Sequence, residues 1–233
     1  MDRATRKDLK SDKFALEVRH GVDFVTGHSQ MLLRWGAIAA AAAVVVVLIS
    51  LYLRYQGGVR QEAFQAAQRV EDASVGPAQS EYAVSYPTQA EKDKASDKVW
   101  TDLGAKYPGS QEGVIAQFYL GGHAADKGNL QEAAKRFQLV IDTGSANYAS
   151  LAKLALSQVY ASQGKIDDAR KLLQSLIDHP TATVSKEQAT ITLAHLLAAS
   201  NPQAARKLLE PLRASERAGV SRAALTAISE LPK

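Results

Sequence analysis

Residues 128–140 read GNLQEAAKRFQLV, and a matching stretch returns twice at intervals of 36 residues: GKIDDARKLLQSL at 164–176 and SNPQAARKLLEPL at 200–212. An alanine takes the sixth place in each stretch, and large apolar residues take the tenth and thirteenth places. A repeat of this length is typical of stacked structural units that bury a shared core. The matched positions are Ala133, Ala169 and Ala205, then Phe137, Leu173 and Leu209, then Val140, Leu176 and Leu212.

Each unit has the pattern of a helix, a tight turn and a second helix. Gly128 and Gly164 are predicted to end the first helix in the left-handed conformation that glycine adopts easily. The conserved spacing of alanine and apolar residues places a close helix crossing at the alanine and turns the apolar side inward. The predicted fold is all-α, with about three helical hairpins of 36 residues over 88–215 and a capping helix in 216–233.

The composition supports this fold class and excludes several functions. Hydrophobic residues make up 46% of the chain but aromatic residues only 6%, and alanine, the best helix former, is abundant. Cysteine is absent, which excludes disulfides, thiol catalysis and zinc–thiolate sites. A formal net charge of +4, with both signs mixed along the chain, does not indicate a nucleic-acid-binding protein.

Residues 35–53 read WGAIAAAAAVVVVLISLYL, nineteen residues without a charge. A helix of this length covers about 28 Å, close to the hydrocarbon thickness of a bilayer. Trp35 at one end and Tyr52 and Tyr55 at the other are the aromatic residues expected at the two membrane interfaces. A buried core helix would keep a polar face, and a cleaved signal peptide would have a shorter charged region. Residues 35–54 are therefore predicted to form a transmembrane helix.

The distribution of charge predicts the orientation of this helix. Residues 1–34 hold seven Lys and Arg residues, whereas the twenty residues after the apolar segment hold three. Because basic segments stay on the cytoplasmic side, we expect a single-pass protein with a cytoplasmic N-terminus and an exported C-terminal domain. In a bacterium with two membranes, the span would lie in the inner membrane and the domain in the periplasm. The tail 1–34 is either an amphipathic helix on membrane lipids or a loose segment that sets only the topology. Residues 55–87 are predicted to be a juxtamembrane helix and a loop, with a possible hinge at Gly57-Gly58.

No stretch carries the residues of a known catalytic motif, such as a phosphate-binding glycine loop, a nucleophile elbow, a zinc-binding helix or a calcium loop. His123 and His195 share one repeat position two units apart. Stacking would separate these imidazoles, which favours a tolerant helix position over a pair of metal ligands. The sequence therefore predicts a non-enzymatic protein with no catalytic residues, cofactor, metal or small-molecule substrate.

The repeat pattern resembles the tetratricopeptide repeat. The family places a large residue, a small residue and an aromatic in the first helix, then an alanine and an aromatic in the second. Repeat three departs from this order, with Thr192 and Ser200 in place of the expected leucine and glycine, and the interval is 36 residues. The matching residues are Leu120, Gly121, Gly128, Ala133 and Phe137 in repeat one, and Leu156, Ser157, Tyr160, Gly164, Ala169 and Leu173 in repeat two.

This resemblance implies a concave groove, lined by the first helices, that binds peptides or partner proteins. Its residues here are mostly apolar and almost uncharged, so we expect the groove to accept an amphipathic helix or an unfolded apolar segment. The alternative is that residues 59–75 of the same chain fill it. The groove positions correspond to Ile115, Phe118 and Gly122 in repeat one, Leu151, Leu154 and Gln158 in repeat two, and Thr190, Ala194 and Leu197 in repeat three.

The order of parts, a short tail, one span and an exported repeat domain, resembles the ancillary subunit family of the SecYEG translocon. That resemblance implies association with translocon subunits and periplasmic chaperones, and a role in handling newly exported proteins. A second interpretation remains open: the repeats are a scaffold for a cell-envelope complex in cell-wall synthesis or division. In both cases the partners are proteins, and the single span contacts membrane lipids.

Overall fold

The computed structural model describes residues 29–77 and 84–232. Most of the predicted cytoplasmic tail, residues 1–28, lies outside the described residues. The described residues contain nine α-helices and two very short strands, which confirms the predicted all-α fold. The helices are α1 Ser29–Glu71, α2 Gln89–Lys106, α3 Gln111–Asp126, α4 Leu130–Thr143, α5 Ala146–Ser162, α6 Ile166–Asp178, α7 Lys186–Leu197, α8 Pro202–Leu209 and α9 Ala218–Ser229.

The chain divides into two compact units, residues 1–59 and 60–233. In the first unit, the apolar part of α1 carries its large side chains in the open. Val44, Leu48 and Leu53 each expose more than half of their surface, and the most apolar window of the helix has no buried residue. By length and composition this helix is able to cross a membrane. The helix continues through Gly57 and Gly58, where the sequence allowed a hinge.

The second unit begins with residues 60–71 of α1 and continues through the repeats. Strands β1 (Ser74–Val75) and β2 (Ser85–Tyr86) pair in parallel, with Ser74 opposite Ser85. After that, each helix packs mainly against the next one along the chain, from α2 to α8. Repeats one, two and three are the hairpins α3–α4, α5–α6 and α7–α8.

The turn inside each of the first two hairpins has the predicted geometry. Gly128 and Gly164 have φ angles of 74° and 75°, in the left-handed region. The amide of the next residue donates to the carbonyl of the helix five residues earlier: Asn129 to Ala124 at 2.7 Å and Lys165 to Tyr160 at 2.8 Å. These are Schellman turns, which satisfy carbonyls that a helix end leaves without a partner.

Repeat three has no glycine at its turn and uses a different device. The Asn201 side chain caps α8 by accepting a hydrogen bond from the Ala204 amide at 3.0 Å. Pro202 then opens the helix, at a position where its missing N–H carries no penalty. The helical hairpin therefore survives the loss of the family's glycine.

The alanines at the sixth place of the repeat are the residues at which paired helices meet. Ala133, Ala169 and Ala205 are all completely buried, as the periodicity predicts. In repeat one, Gly121 on the facing helix is equally constrained, since a Cβ atom there would lie 2.9 Å from the Phe137 ring. Gly122 beside it faces open space.

The last helix, α9, packs against α7 and α8. Its Ala227, together with Leu231, forms a buried apolar cluster with residues of repeat three. The cluster also contains Ala205 and Leu209 of α8 and Ala194 of α7. The terminal repeat is therefore covered by a helix of the same chain and not by another repeat.

Candidate protein-binding surface

The nine predicted groove residues lie in different environments in the three repeats. In repeat one, Ile115 is buried, Phe118 is half-buried and Gly122 is half-exposed. The centroid of the Phe118 ring is 5.6 Å from that of the Phe137 ring. It is 6.4 Å from the centroid of the Tyr148 ring, which belongs to repeat two. The residue predicted to meet a partner thus also links two repeats.

In repeat two, Leu151 and Leu154 are half-buried against the core shared by α6 and α7. Gln158 is exposed. Repeat two therefore offers a partner parts of two leucine side chains and one amide.

In repeat three, Thr190 and Ala194 are buried, and Leu197 is half-buried against the cluster under α9. The Thr190 hydroxyl donates to the Lys186 carbonyl of its own helix at 2.8 Å. Thr190 and Ala194 therefore do not line an open surface, and Ala194 and Leu197 pack in the cluster that includes α9. The sequence pattern of repeat three alone does not predict this contact with the C-terminal helix.

Phe64 and Ala67 belong to the segment 59–75, the alternative occupant of the predicted groove. Phe64 and Ala67 pack against Trp100 and Leu103 of α2 and against Leu120 of α3. The Phe64 and Trp100 rings meet edge to face with centroids 5.9 Å apart. Among the described residues, this cluster contains none of the nine groove positions.

A concave space lies between repeats two and three. This space, which we call the second-junction cleft, has a volume of about 500 Å³. Gln158 is the one predicted groove residue among those that line it. The sequence analysis did not select the other lining residues, which are Ser157, Ala161, Leu173, Thr192, His195 and Leu196.

The wall of this cleft contains no Asp, Glu, Lys or Arg side chain. The Ser157 hydroxyl donates to the Leu154 carbonyl at 2.6 Å, and the Thr192 hydroxyl donates to the Gln188 carbonyl at 3.0 Å. Both hydroxyl groups therefore donate their hydrogen bonds to carbonyl groups of their own helices, α5 and α7. The cleft can therefore hold an apolar group. The polar side chains that remain available for hydrogen bonds, Gln158 and His195, are exposed at its mouth.

A second cluster, here called the polar clasp, lies at the other end of the repeats. Glu71, at the end of α1, accepts a hydrogen bond from the indole N–H of Trp100 at 2.8 Å and another from the hydroxyl of Ser96. His123 of α3 stands between two carboxylates. Its Nδ1 is 2.9 Å from Asp97 Oδ1, and its Nε2 is 3.3 Å from Glu71 Oε2.

The two carboxyl groups of the polar clasp have pKa values below their ordinary range. Burial raises the pKa of Glu71, but the hydrogen bonds from Ser96 and Trp100 and the nearby His123 lower it more. Burial also raises the pKa of Asp97, and the Lys127 ammonium and His123 more than offset that effect. The ionised carboxylates thus stabilise the contact of residues 60–71 with α2 and α3.

His123 has a more specific role than the tolerant position that the sequence suggested. Its partners come from residues 71 and 97, which lie outside the repeats that were aligned. His195, at the same repeat position, is exposed at the second-junction cleft. Among the described residues, no group of three or more His, Asp and Glu side chains is arranged to hold a metal ion.

Stacked helical hairpins with alanine crossings and an interhelical cleft define a helical-repeat protein, a class that serves in protein–protein interaction and is typically non-catalytic. A family profile described as "Tetratricopeptide repeat-like domain" matches residues 31–178, which is more than half of the 233 residues. The chain therefore belongs to this family. Comparison with curated proteins finds no match.

The family match covers residues 31–178 and leaves the C-terminal part of the repeat domain outside it. The match takes in the apolar part of α1 and continues to the end of α6. Repeat three and the capping helix α9 lie beyond it. One side of the second-junction cleft, the part contributed by α7, is therefore a feature of this chain outside the matched segment.

Proposed function

We propose that this protein is a single-span interaction module of a bacterial inner membrane, whose periplasmic repeats assist the translocon and its chaperones in handling newly exported proteins. The observation that carries the proposal is the joint presence of an exposed apolar helix and interaction repeats within one family match. The overlap of the matched residues with the apolar part of α1 supports a proposal in which anchoring and binding belong to one function.

The membrane anchor is supported by the surface of α1. A helix of a water-soluble domain buries one apolar face, whereas this segment leaves valine, leucine and isoleucine exposed on all sides. Such a surface is stable in contact with lipid. The excess of Lys and Arg before residue 35 favours a cytoplasmic N-terminus and exported repeats.

The binding role is supported by the uncharged character of the repeat surface at its cleft. A segment of a newly exported, unfolded protein exposes apolar side chains that folding would bury. The resemblance of the whole arrangement to the ancillary translocon subunit favours partners at the site of export. A scaffold of a cell-wall or division complex would use the same surface for one fixed partner.

The topology is testable because the chain contains no cysteine, so a single introduced thiol is a unique label. Ser162→Cys, at an exposed position of α5, should react in intact spheroplasts with a maleimide that cannot cross membranes. Ser11→Cys, in the N-terminal tail, is the matched control and should react only after the membrane is permeabilised. The reverse pattern of labelling would contradict the proposed orientation.

The partners are testable by cross-linking in whole cells, followed by purification of the full chain in detergent. We expect translocon subunits and periplasmic chaperones to be recovered in stoichiometric amounts. Recovery of a cell-wall or division complex without translocon subunits would replace the proposed role by the scaffold role. Recovery of neither would contradict both.

A further inference from the structure

The second-junction cleft can be compared, position by position, with the junction between repeats one and two. Because the repeat interval is 36 residues, each residue that lines the cleft has a counterpart in repeat one or two. We call this set of counterparts the first junction. Its members are Gly121, Gly122, Ala125, Phe137, Leu156, Val159 and Tyr160, which correspond to Ser157, Gln158, Ala161, Leu173, Thr192, His195 and Leu196.

The first junction is a closed core. Phe137 exposes 3% of its surface, Leu156 none and Val159 4%, and all three belong to one apolar cluster. Ala125 and Tyr160 pack against the same cluster. The corresponding positions therefore fill the space between two repeats when they carry these side chains.

The second junction differs from the first at six of the seven positions. Ser157, Gln158 and His195 are larger than their counterparts, whereas Leu173, Thr192 and Leu196 are smaller than Phe137, Leu156 and Tyr160. Ser157 and Leu173 are buried, so the place of Phe137 is filled, but Thr192 and Leu196 are only half-buried. What remains is the cleft of about 500 Å³.

The chemistry of the wall selects the occupant. The wall contains no Asp, Glu, Lys or Arg, and the hydroxyls of Ser157 and Thr192 donate to their own helices. A carboxylate or ammonium placed there would lose water without gaining a partner, which opposes its binding. An aromatic ring, by contrast, contacts leucine and alanine side chains as the rings of the first junction do.

We propose that the second-junction cleft binds an aromatic side chain of a partner protein, which takes the place that Leu156 and Tyr160 fill at the first junction. Gln158 and His195, both exposed at the mouth, are positioned to bind the main chain on either side of that residue. This inference rests on the proposed function, since it names the side-chain class that the interaction module recognises.

The test uses disulfide trapping on the full chain in lipid nanodiscs. The absence of cysteine makes Gln158→Cys a single thiol at the mouth of the cleft. Gly122→Cys places a thiol at the same repeat position of the closed first junction, where a Cβ atom meets open space, and is the matched control. The probes are disulfides that carry a benzyl, an isobutyl, a propionate or an aminoethyl group. The measurement is the mercaptoethanol concentration that releases half of each probe, determined by intact mass.

At Gln158→Cys, the benzyl probe should withstand about tenfold more mercaptoethanol than the propionate probe, and more than the isobutyl probe. At Gly122→Cys, the probes should be released together. Taking ratios between probes at one site removes differences in thiol reactivity and in partitioning into lipid. Equal ratios at the two sites, or retention of the isobutyl or a charged probe as strong as that of benzyl, would overturn the proposal.

A filled cleft provides the second variant. Ser157→Gly, Leu173→Phe, Thr192→Leu and Leu196→Tyr, added to Gln158→Cys, transfer the first-junction residues to the second junction. The benzyl preference should fall to the value found with Gly122→Cys. If circular dichroism shows that this variant does not fold, the comparison of the two single-thiol variants decides by itself.

The outcome is separable from that of the proposed function. If the benzyl preference is absent while translocon subunits are still cross-linked, the inference fails and the proposed function stands. If the ring is retained but no envelope protein is cross-linked, the cleft is an aromatic site and the proposed partners are wrong.

Discussion

The first junction and the second-junction cleft use the same seven positions of a 36-residue repeat, yet one is a packed core and the other an open cavity. The pair Gly121 and Phe137 shows why. The Phe137 ring fits only because residue 121 has no Cβ atom, which would lie 2.9 Å from it. In the next repeat the pair is Ser157 and Leu173, a larger residue facing a smaller one.

This difference shows how a repeat protein can alter the packing at one junction without changing its frame. The helices, turns and alanine crossings of repeats one and two are alike, so the backbone at the two junctions follows from the same pattern. The side chains at the shared positions then decide how completely each junction is filled.

The largest expected effect comes from emptying the closed junction. Phe137→Ala should destabilise the repeat domain by about 3–5 kcal/mol, because it leaves a cavity inside a closed core. Leu173→Ala, at the same position of the second junction, should cost less, about 2–3 kcal/mol, because Leu173 is equally buried but a smaller side chain is removed. Urea unfolding of the full chain in detergent, followed by circular dichroism, measures both. Equal losses would show that the two junctions are packed alike.

The next effect tests the pairing of residue sizes across each junction. Leu173→Phe alone should cost about 1–3 kcal/mol, since the new ring meets the Cβ atom of Ser157. Adding Ser157→Gly should recover most of this loss, although Ser157→Gly alone is unfavourable in a helix. The double-mutant cycle gives the coupling energy of the two positions from unfolding midpoints. A coupling energy of zero would mean that the glycine is not what admits the ring.

The polar clasp is a third junction, held by charge and not by fitted volume, and it predicts a dependence on pH. Glu71→Gln should weaken the contact of residues 60–71 with α2 by about 1 kcal/mol at neutral pH, because it removes a charged acceptor. The folded-state pKa of Glu71 is below its ordinary value. The stabilisation is therefore complete above the unfolded value, about 4.3, and is lost as the pH falls through the folded value.

Fluorescence of Trp100 in a Trp35→Phe background reports this contact, because these are the two tryptophans of the chain. The difference in Trp100 fluorescence between Glu71→Gln and the parent should become smaller as the pH falls. If Glu71→Gln leaves the Trp100 fluorescence unchanged at neutral pH, the hydrogen bonds from Ser96 and Trp100 to Glu71 do not hold residues 60–71 against α2.

The smallest effect compares two adjacent glycines at the first junction. Gly122→Ala should stabilise the domain by up to about 1 kcal/mol, because alanine favours the helix and its methyl group meets open space. Gly121→Ala gains the same propensity but pushes against the Phe137 ring, so its unfolding midpoint should fall below that of Gly122→Ala. The opposite order of midpoints would contradict the close approach of α3 and α4 at Gly121.

The sequence by itself determined the repeat frame. The 36-residue interval, the glycines at 128 and 164 and the buried alanines are local or periodic features, and each unit repeats the same short-range physics. The apolar helix also follows from sequence, since its length and lack of charge are readable directly. These features are visible because each one depends on residues a few places apart.

Only the tertiary structure decided which of the repeat positions are available to a partner. Ala194 is buried in a cluster with Ala227 of α9, a contact that no periodic pattern records. His123 is held by Glu71 and Asp97, which are 52 and 26 residues away in the chain. The second-junction cleft arises from side chains on three helices, so it exists only once those helices are packed. Repeated backbone geometry is encoded locally, whereas accessible volume depends on every side chain that meets at one place, and those come from distant parts of the sequence.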